Sequence, residues 1–350
     1  MRAVVYNGRH DIEVTDRPAP KASDGQVLVR VAYNGICGTD LHEYYDGPIF
    51  IPTEPHPLTG RSLPVVMGHE FSGTVVEVGP GVTTLAEGDR VTIEPIYRCG
   101  ECAPCRSGRY NTCTRVGFHG LSTDGGMAEL TAVDERMAYK LPDAVSNELG
   151  ALVEPMSVAY HAAKLGNVDE DGTALVFGAG PIGIGLWFAL RGQGVDDVLV
   201  VEPSPVRRSA IERLGARTLD PTAVDVPAFT ADHTKGLGVA AAFDAAGVRA
   251  AVEAALASLG PGKTMVSVAI YERPLETPLI QLVLREARIQ GTICYTGDDY
   301  RAVIDLMARG HYDTGGWVET VAMNDVLKEG FEALHAGQKM KVLVDPTVAG

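Results

Sequence analysis

The chain has 350 residues, 45% hydrophobic and 21% charged, which fits a folded globular protein too long for one ordinary core. A formal net charge of −15 excludes a phosphate-binding nucleic-acid partner, because that role needs clustered Lys and Arg. The opening MRAVVYNGRHDIEV meets charge at once, so no secretory leader is expected and a cytoplasmic setting with reduced thiols is.

In chain order, the first elements are short β-rich runs separated by turns: MRAVVY, IEVTD, QVLVRVAYNGI, TVVEVG and DRVTIEP. Two cysteine patterns lie among them. Cys37 stands alone in GICGTDLH, followed by the His69–Glu70 pair of MGHEFSG. Cys99, Cys102, Cys105 and Cys113 crowd a single loop, CGECAPCRSGRYNTC. Four thiolates at that spacing close a tetrahedral shell around zinc and leave no room for substrate. Arg98, Arg106, Arg109 and Arg115 flank the loop, but in so acidic a chain they point to a stabilising lobe rather than a nucleic-acid contact.

Near Val153 the pattern changes. LVEPMSVAYHAAKLG reads as a helix, ALVFGAG as a strand and PIGIGLWFALRGQG as a helix ending at glycine. DVLVVE, PVRRSAIERLGA, AAFDAAG, VRAAVEAALASLG and KTMVSVAI continue the alternation, which predicts a doubly wound parallel sheet. The uncharged run Thr173 to Leu190 is almost long enough to span a bilayer, but its internal glycines and proline read as a buried strand entering a buried helix. After Gly291 a strand near TICY, a helix around YRAVIDLMARG and a last strand KVLVD are expected. The expected layout is a catalytic domain over residues 1–154, a nucleotide-binding domain over 155–291, and a return to the first domain over 292–350.

Gly178, Gly180, Pro181, Ile182 and Gly183 form a G-x-G-x-x-G turn between strand and helix, the context a dinucleotide pyrophosphate requires. Glu202 ends the next strand, where a carboxylate accepts ribose hydroxyls and repels a 2′-phosphate, favouring NAD over NADP. Arg207 reads equally as a group near the adenine or as a solvated helix arginine. Cys37, His69 and Glu154 form a candidate open metal site, with Glu70 as a competing carboxylate ligand and Asp40 as an acceptor orienting the His69 ring. A lone GHE is equally compatible with a structural histidine.

The run from Gly68, His69 and Glu70 through Gly73, Gly79 and Val82, with ICGTDLH, the four-cysteine loop, ALVEPMSV and GAGPIG in that order, resembles the zinc-containing medium-chain dehydrogenase/reductase family. The resemblance covers essentially the whole chain. It implies an α/β fold in which a Rossmann-type doubly wound parallel sheet is inserted into a β-rich GroES-like catalytic domain. It also implies NAD and two Zn²⁺ ions, one catalytic and one structural. Cys37 and His69 match the family's catalytic zinc ligands, and Glu154 stands where the classical alcohol dehydrogenases carry a cysteine, so the third ligand stays open between Glu154 and Glu70. Thr39 and His42 resemble the family's proton path, which makes Thr39, His42 and Glu70 the catalytic candidates. The insert HEYYDGPIFIPTEPHPLTGRSLPVVMGHEFSG looks most like that of the 2,3-butanediol dehydrogenases, nearest the (R,R) type. That likeness implies reversible oxidation of a vicinal diol to a hydroxyketone by a homo-oligomer, dimer or tetramer. A sorbitol-type polyol or threonine dehydrogenase is the alternative within the family, and a non-catalytic dinucleotide-binding scaffold the alternative outside it. Tyr45, Phe50 and Ile51 are candidates for the substrate pocket or equally for core or a subunit contact, and His56 reads as a loop residue.

Overall fold

The computed structural model describes residues 1–271, 274–277 and 279–348. Strand β1 (Arg2–Gly8) pairs antiparallel with β2 (Asp11–Asp16), and its alternation sends Val4 and Tyr6 into one apolar cluster and Ala3 and Val5 into another. Next come β3 (Gln26–Gly35), helix α1 (Gly38–Asp46), β4 (Val65–Val66), β5 (Glu70–Val78) and β6 (Arg90–Ile93). The cysteine loop carries β7 (Ile96–Tyr97), the single turn α2 (Ala103–Arg106) and β8 (Gly117–Phe118), before β9 (Leu130–Asp134) and β10 (Ala138–Lys140).

Helix α3 (Asn147–Gly166) leads to β11 (Ala174–Phe177), α4 (Pro181–Gly192), β12 (Val198–Val201), α5 (Pro205–Arg213) and β13 (Arg217–Leu219). They are followed by α6 (Val226–His233), β14 (Val239–Asp244), α7 (Arg249–Ser258), β15 (Leu259–Ser267), α8 (Leu279–Arg285) and β16 (Arg288–Gly291). The last elements are α9 (Gly297–Ala308), β17 (Val318–Ala322), α10 (Ala333–His335) and β18 (Lys341–Asp345).

The chain forms two compact units. The first holds Met1–Glu154, Thr296–Arg309 and Val318–Gly350, and the second Pro155–Tyr295 and Gly310–Trp317. In the first, the main sheet runs β10-β6-β5-β3-β18-β17, with β9 also paired to β3. Apart from the parallel β17–β18 pair its ladders are antiparallel. In the second, six strands lie parallel in the order β13-β12-β11-β14-β15-β16. All four residues of β11 and of β12 are buried, as expected of strands covered on both faces. The apolar stretch from Thr173 is thus β11 followed by α4, and no helix among the described residues is long and apolar enough to cross a membrane.

The division differs from the expected one in two places. TICY, residues 292–295, is not a strand: the sheet takes Arg288–Gly291 instead, parallel to β15, and residues 292–295 stay with that unit. Gly310–Trp317 also belongs to the second unit, because Tyr312 packs on Phe188 of α4 at 4.8 Å between ring centroids and Trp317 is buried. Aromatic burial there outweighs sequence position.

Candidate functional site

The open cluster is a product of strand register. Gly35 at the end of β3 lies opposite Glu70 at the start of β5, which brings the residues just after β3 beside those just before β5. Ligand atoms of Cys37, His69 and Glu70 consequently lie within 4.8 Å of one another. Cys37 is the N-cap of α1, and its backbone N–H donates to Asp40 Oδ2 at 2.9 Å. The other oxygen of Asp40 faces His69 Nδ1 at 3.7 Å, too long for a hydrogen bond, and neither atom has another such partner among the described residues. Burial pushes the His69 pKa down, but the charges of Asp40 and Cys37 more than reverse this and hold it well above the usual value. Asp40 is pushed up to about 6, chiefly by burial. Surroundings that favour a proton on the imidazole equally favour a divalent cation in its place.

One member of this cluster was not legible in the sequence. Lys341, the first residue of β18, is 3% exposed, and its ammonium contacts Glu70 Oε2 and donates to Ile36 O at 3.0 Å. Burial works against its charge, but Glu70, Cys37 and Glu154 together raise its pKa. The pair explains a glycine, for a Cβ on Gly35 would fall 2.2 Å from Glu70 Oε2. The sequence signal was a lysine opening the strand KVLVD, ahead of its three apolar residues.

Glu154 is buried on α3, and its charge raises the pKa of both His69 and Lys341, although its carboxylate is not among the atoms grouped within 4.8 Å. Thr39 and His42 sit three residues apart on α1, on one face and half-buried. Of the pocket candidates, Ile51 is core at 2% exposure, Tyr45 stacks on His335 at 3.8 Å, and Phe50 is exposed. A further unanticipated residue, Glu43, orders this segment: its buried carboxylate accepts the backbone N–H groups of Ile49, Phe50 and Ile51. His56 lies in a loop, with Nε2 3.1 Å from Val116 O.

The four-cysteine loop has the dimensions of a zinc shell. Sγ–Sγ distances are 3.5 Å for Cys99–Cys113 and 3.9 Å for both Cys99–Cys105 and Cys102–Cys113. A tetrahedron with Zn–S bonds of about 2.3 Å has edges of about 3.8 Å. Backbone N–H groups of Cys102 and Arg115 donate to Cys99 and Cys113 sulfurs at 3.4 Å. Such donors lower Cys99 to about 6 and also lower Cys102, whereas burial raises Cys105 to about 12. Cys102→Ser is expected to release one metal equivalent and lower the unfolding midpoint, since the binding energy of a structural ion is folding energy. A normal midpoint with full metal content would remove the zinc assignment.

In the second unit, the glycine turn follows β11. Gly178 has φ +97°, which favours glycine, and a Cβ on Gly183 would lie 1.8 Å from the Gly178 carbonyl oxygen, so the helix approaches the turn only because residue 183 is glycine. Gly180 caps α4 with Pro181 as its first residue and Ile182 next, leaving the helix N-terminus open toward the turn. Glu202, 3% exposed, follows β12 and accepts the N–H groups of Ala179 and Ser204, each at 2.8 Å. Arg207 is half-buried on α5, with its backbone N–H donating to Ser204 Oγ at 3.4 Å. Its neighbour Arg208 braces the turn, donating to the carbonyls of Glu202 and Pro203 at 2.7 Å. The turn lies at the carboxyl ends of β11 and β12, beside the place where strand order reverses, which is where doubly wound sheets bind ligands.

Comparison with known proteins identifies the family. Residues 23–143 match the alcohol dehydrogenase GroES-like domain, and residues 181–309 match the zinc-binding dehydrogenase family. An (R,R)-butanediol dehydrogenase of Bacillus subtilis (strain 168) is 41% identical over 99% of this chain and 100% of its own length. A probable diacetyl reductase [(R)-acetoin forming] of Saccharomyces cerevisiae is 38% identical over 89% of this chain and 81% of its own. The crystal structure of 2R,3R-butanediol dehydrogenase from Bacillus subtilis superposes with a TM-score of 0.93 at 41% identity, covering 99% of each chain. A zinc-binding dehydrogenase from Sinorhizobium meliloti bound to NADP superposes at 0.89 with 29% identity over 99% of each chain. An Escherichia coli alcohol dehydrogenase complexed with NADH superposes at 0.86 with 27% identity over 99% of each.

Proposed function

The chain belongs to the zinc-binding alcohol dehydrogenase family and is an alcohol dehydrogenase, and from that premise we propose that it interconverts 2,3-butanediol and acetoin with NAD, in the (R,R) sense. Reduction of diacetyl is the companion activity. The observation that carries the proposal is a cluster of one cysteine sulfur, one imidazole and a carboxylate, separate from a group of four cysteine sulfurs in the same unit. In this reading Cys37, His69 and Glu154 hold the catalytic zinc, with Glu70 as the alternative carboxylate. The Lys341 contact favours that order, because it already occupies one oxygen of Glu70.

Zinc held by Cys37, His69 and a carboxylate would supply Lewis acidity to a hydroxyl oxygen, and NAD held at the glycine turn would supply the hydride acceptor. The chain's own residues do the rest. Asp40 acts on His69 through its charge, 3.7 Å from Nδ1, and the hydroxyl proton leaves through Thr39 and His42, which share a face of α1. Glu202 receives the adenosine ribose with the lone pairs left over from its two backbone donors. Arg207, in the first turn of α5, is assigned to the adenine side in this reading, with a solvated helix arginine as the alternative.

Assaying acetoin, diacetyl, the butanediol stereoisomers, sorbitol and threonine with each nicotinamide tests the reading. Turnover is expected for acetoin and (R,R)-butanediol. Faster turnover of sorbitol or threonine would reassign the substrate. Glu202→Ala is expected to lower the NAD-over-NADP ratio of kcat/KM by about tenfold, the factor worth ~1.4 kcal/mol. An unchanged ratio would contradict the ribose role.

The protein is proposed to be cytoplasmic and to act as a homo-oligomer, a dimer or a tetramer. All four residues of the edge strand β16 are exposed, as are Leu279, Ile280, Val283 and Leu284 on α8, which supports assembly through this face.

A further inference from the structure

Two hydroxyls dock the start of α3 on the main sheet of the first unit. Ser72 on β5 and Thr92 on β6 are paired across the two strands. Ser72 Oγ donates to Asn147 O at 2.5 Å, and Thr92 Oγ1 donates to Gly150 O at 2.7 Å. The two carbonyls are three residues apart, on one face of the helix. Gly150 O is also the carbonyl that an α-helix pairs with the N–H of Glu154, four residues on. Thr92 therefore bears on the turn that carries Glu154.

Thr92 itself is held from the other side. Its single hydrogen goes to Gly150 O, so the Tyr300 hydroxyl, 2.7 Å away, is the donor to Thr92 Oγ1. Tyr300 belongs to α9, whose first residue, Gly297, donates its N–H to the hydroxyl of Tyr110. Tyr110 lies between Cys105 and Cys113 in the cysteine loop, and its hydroxyl donates to Glu94 Oε1 at 2.5 Å. Glu94 is 1% exposed, takes a second donor from Tyr139 at 2.8 Å, and stands two residues beyond Thr92. Arg98 covers the Tyr110 ring at 3.8 Å from its centroid. The bonds of Thr92 to Gly150 and Tyr300 are buried and those of Tyr110 and Tyr139 part-buried, and a satisfied network of this kind rigidifies the elements it joins.

We infer that Tyr110, Tyr300 and Thr92 are positioning residues through which the cysteine loop sets the placement of Glu154, and with it how firmly the open site keeps its ion. The inference rests on the proposed ligand role of Glu154.

The test is metal release from the zinc-loaded protein into excess EDTA with a chromogenic zinc indicator. Two phases are expected, and Cys37→Ser identifies the open-site phase by removing it. Thr92→Val is expected to speed that phase by about tenfold, the scale seen for groups that orient metal ligands, and to leave the loop's phase unchanged. Thr92→Ser, which keeps the hydroxyl, should restore the original rate. Tyr110→Phe should also speed the open-site phase, and the double variant Tyr110→Phe/Thr92→Val should be no faster than the faster single variant. Two phases with unchanged release in Thr92→Val, or effects that multiply in the double variant, overturn the inference alone. A single phase that survives Cys37→Ser overturns the open-site reading and the inference with it.

Discussion

Cys37→Ser is expected to lower kcat for the proposed butanediol oxidation by about a thousandfold or more while leaving the unfolding midpoint of the metal-free protein nearly unchanged. The two effects separate because Cys37 has two roles. As N-cap of α1 it is replaceable, since serine is a favoured residue at that position and Asp40 would still accept the residue-37 N–H. In its proposed role as a zinc ligand it is not, because a neutral hydroxyl does not replace a thiolate ligand. Losing the ion removes several kcal/mol of charge stabilisation at the reacting oxygen, which sets the thousandfold scale. Steady-state kinetics beside metal analysis gives the answer: metal content should fall from two ions per chain to one. Activity within tenfold of the parent would rule out Cys37 as a ligand.

Lys341→Met is expected to cost about 3–5 kcal/mol of stability, the penalty for leaving one charge of a buried pair without its partner. Glu70 is 1% exposed, so its carboxylate has little access to solvent once the ammonium is gone. Denaturant unfolding of metal-free protein measures the loss. Two controls make the result specific. Adding zinc should recover part of the stability, because a divalent ion beside Cys37 and His69 can take up the orphaned charge. Glu70→Gln combined with Lys341→Met should recover more, since it removes the unpaired charge itself. An unchanged unfolding midpoint in the single variant would mean the pair contributes nothing net.

How far the molecule could be read in advance depended on the span of sequence each feature occupies. The alternation of strands and helices after α3 was legible because each element needs only its own periodicity and a local turn. The boundary after Gly291 was misplaced for the opposite reason. TICY and Arg288–Gly291 are both short extended candidates, and the ladder to β15 chose between them. In the insert, Ile51 and Phe50 are adjacent apolar residues, yet one is core and the other exposed. The carboxylate of Glu43 on α1 holds the backbone N–H groups of both, a contact that local composition does not show.

The sequence by itself determined the pieces whose geometry is local. Four cysteines in one loop and a glycine turn between β11 and α4 carry their own dimensions, so spacing alone marks a candidate metal shell and a candidate phosphate-binding turn. The open cluster was marked only by separate motifs, and the tertiary structure decided how they meet. Gly35 faces Glu70 across the β3–β5 ladder and Leu343 across the β3–β18 ladder, and these registers bring Lys341 to Glu70 and both to Cys37 and His69. Hydrogen-bond register between strands far apart in the chain leaves no trace in local composition, so a lysine that reads as an ordinary strand residue becomes the buried counter-charge of the site.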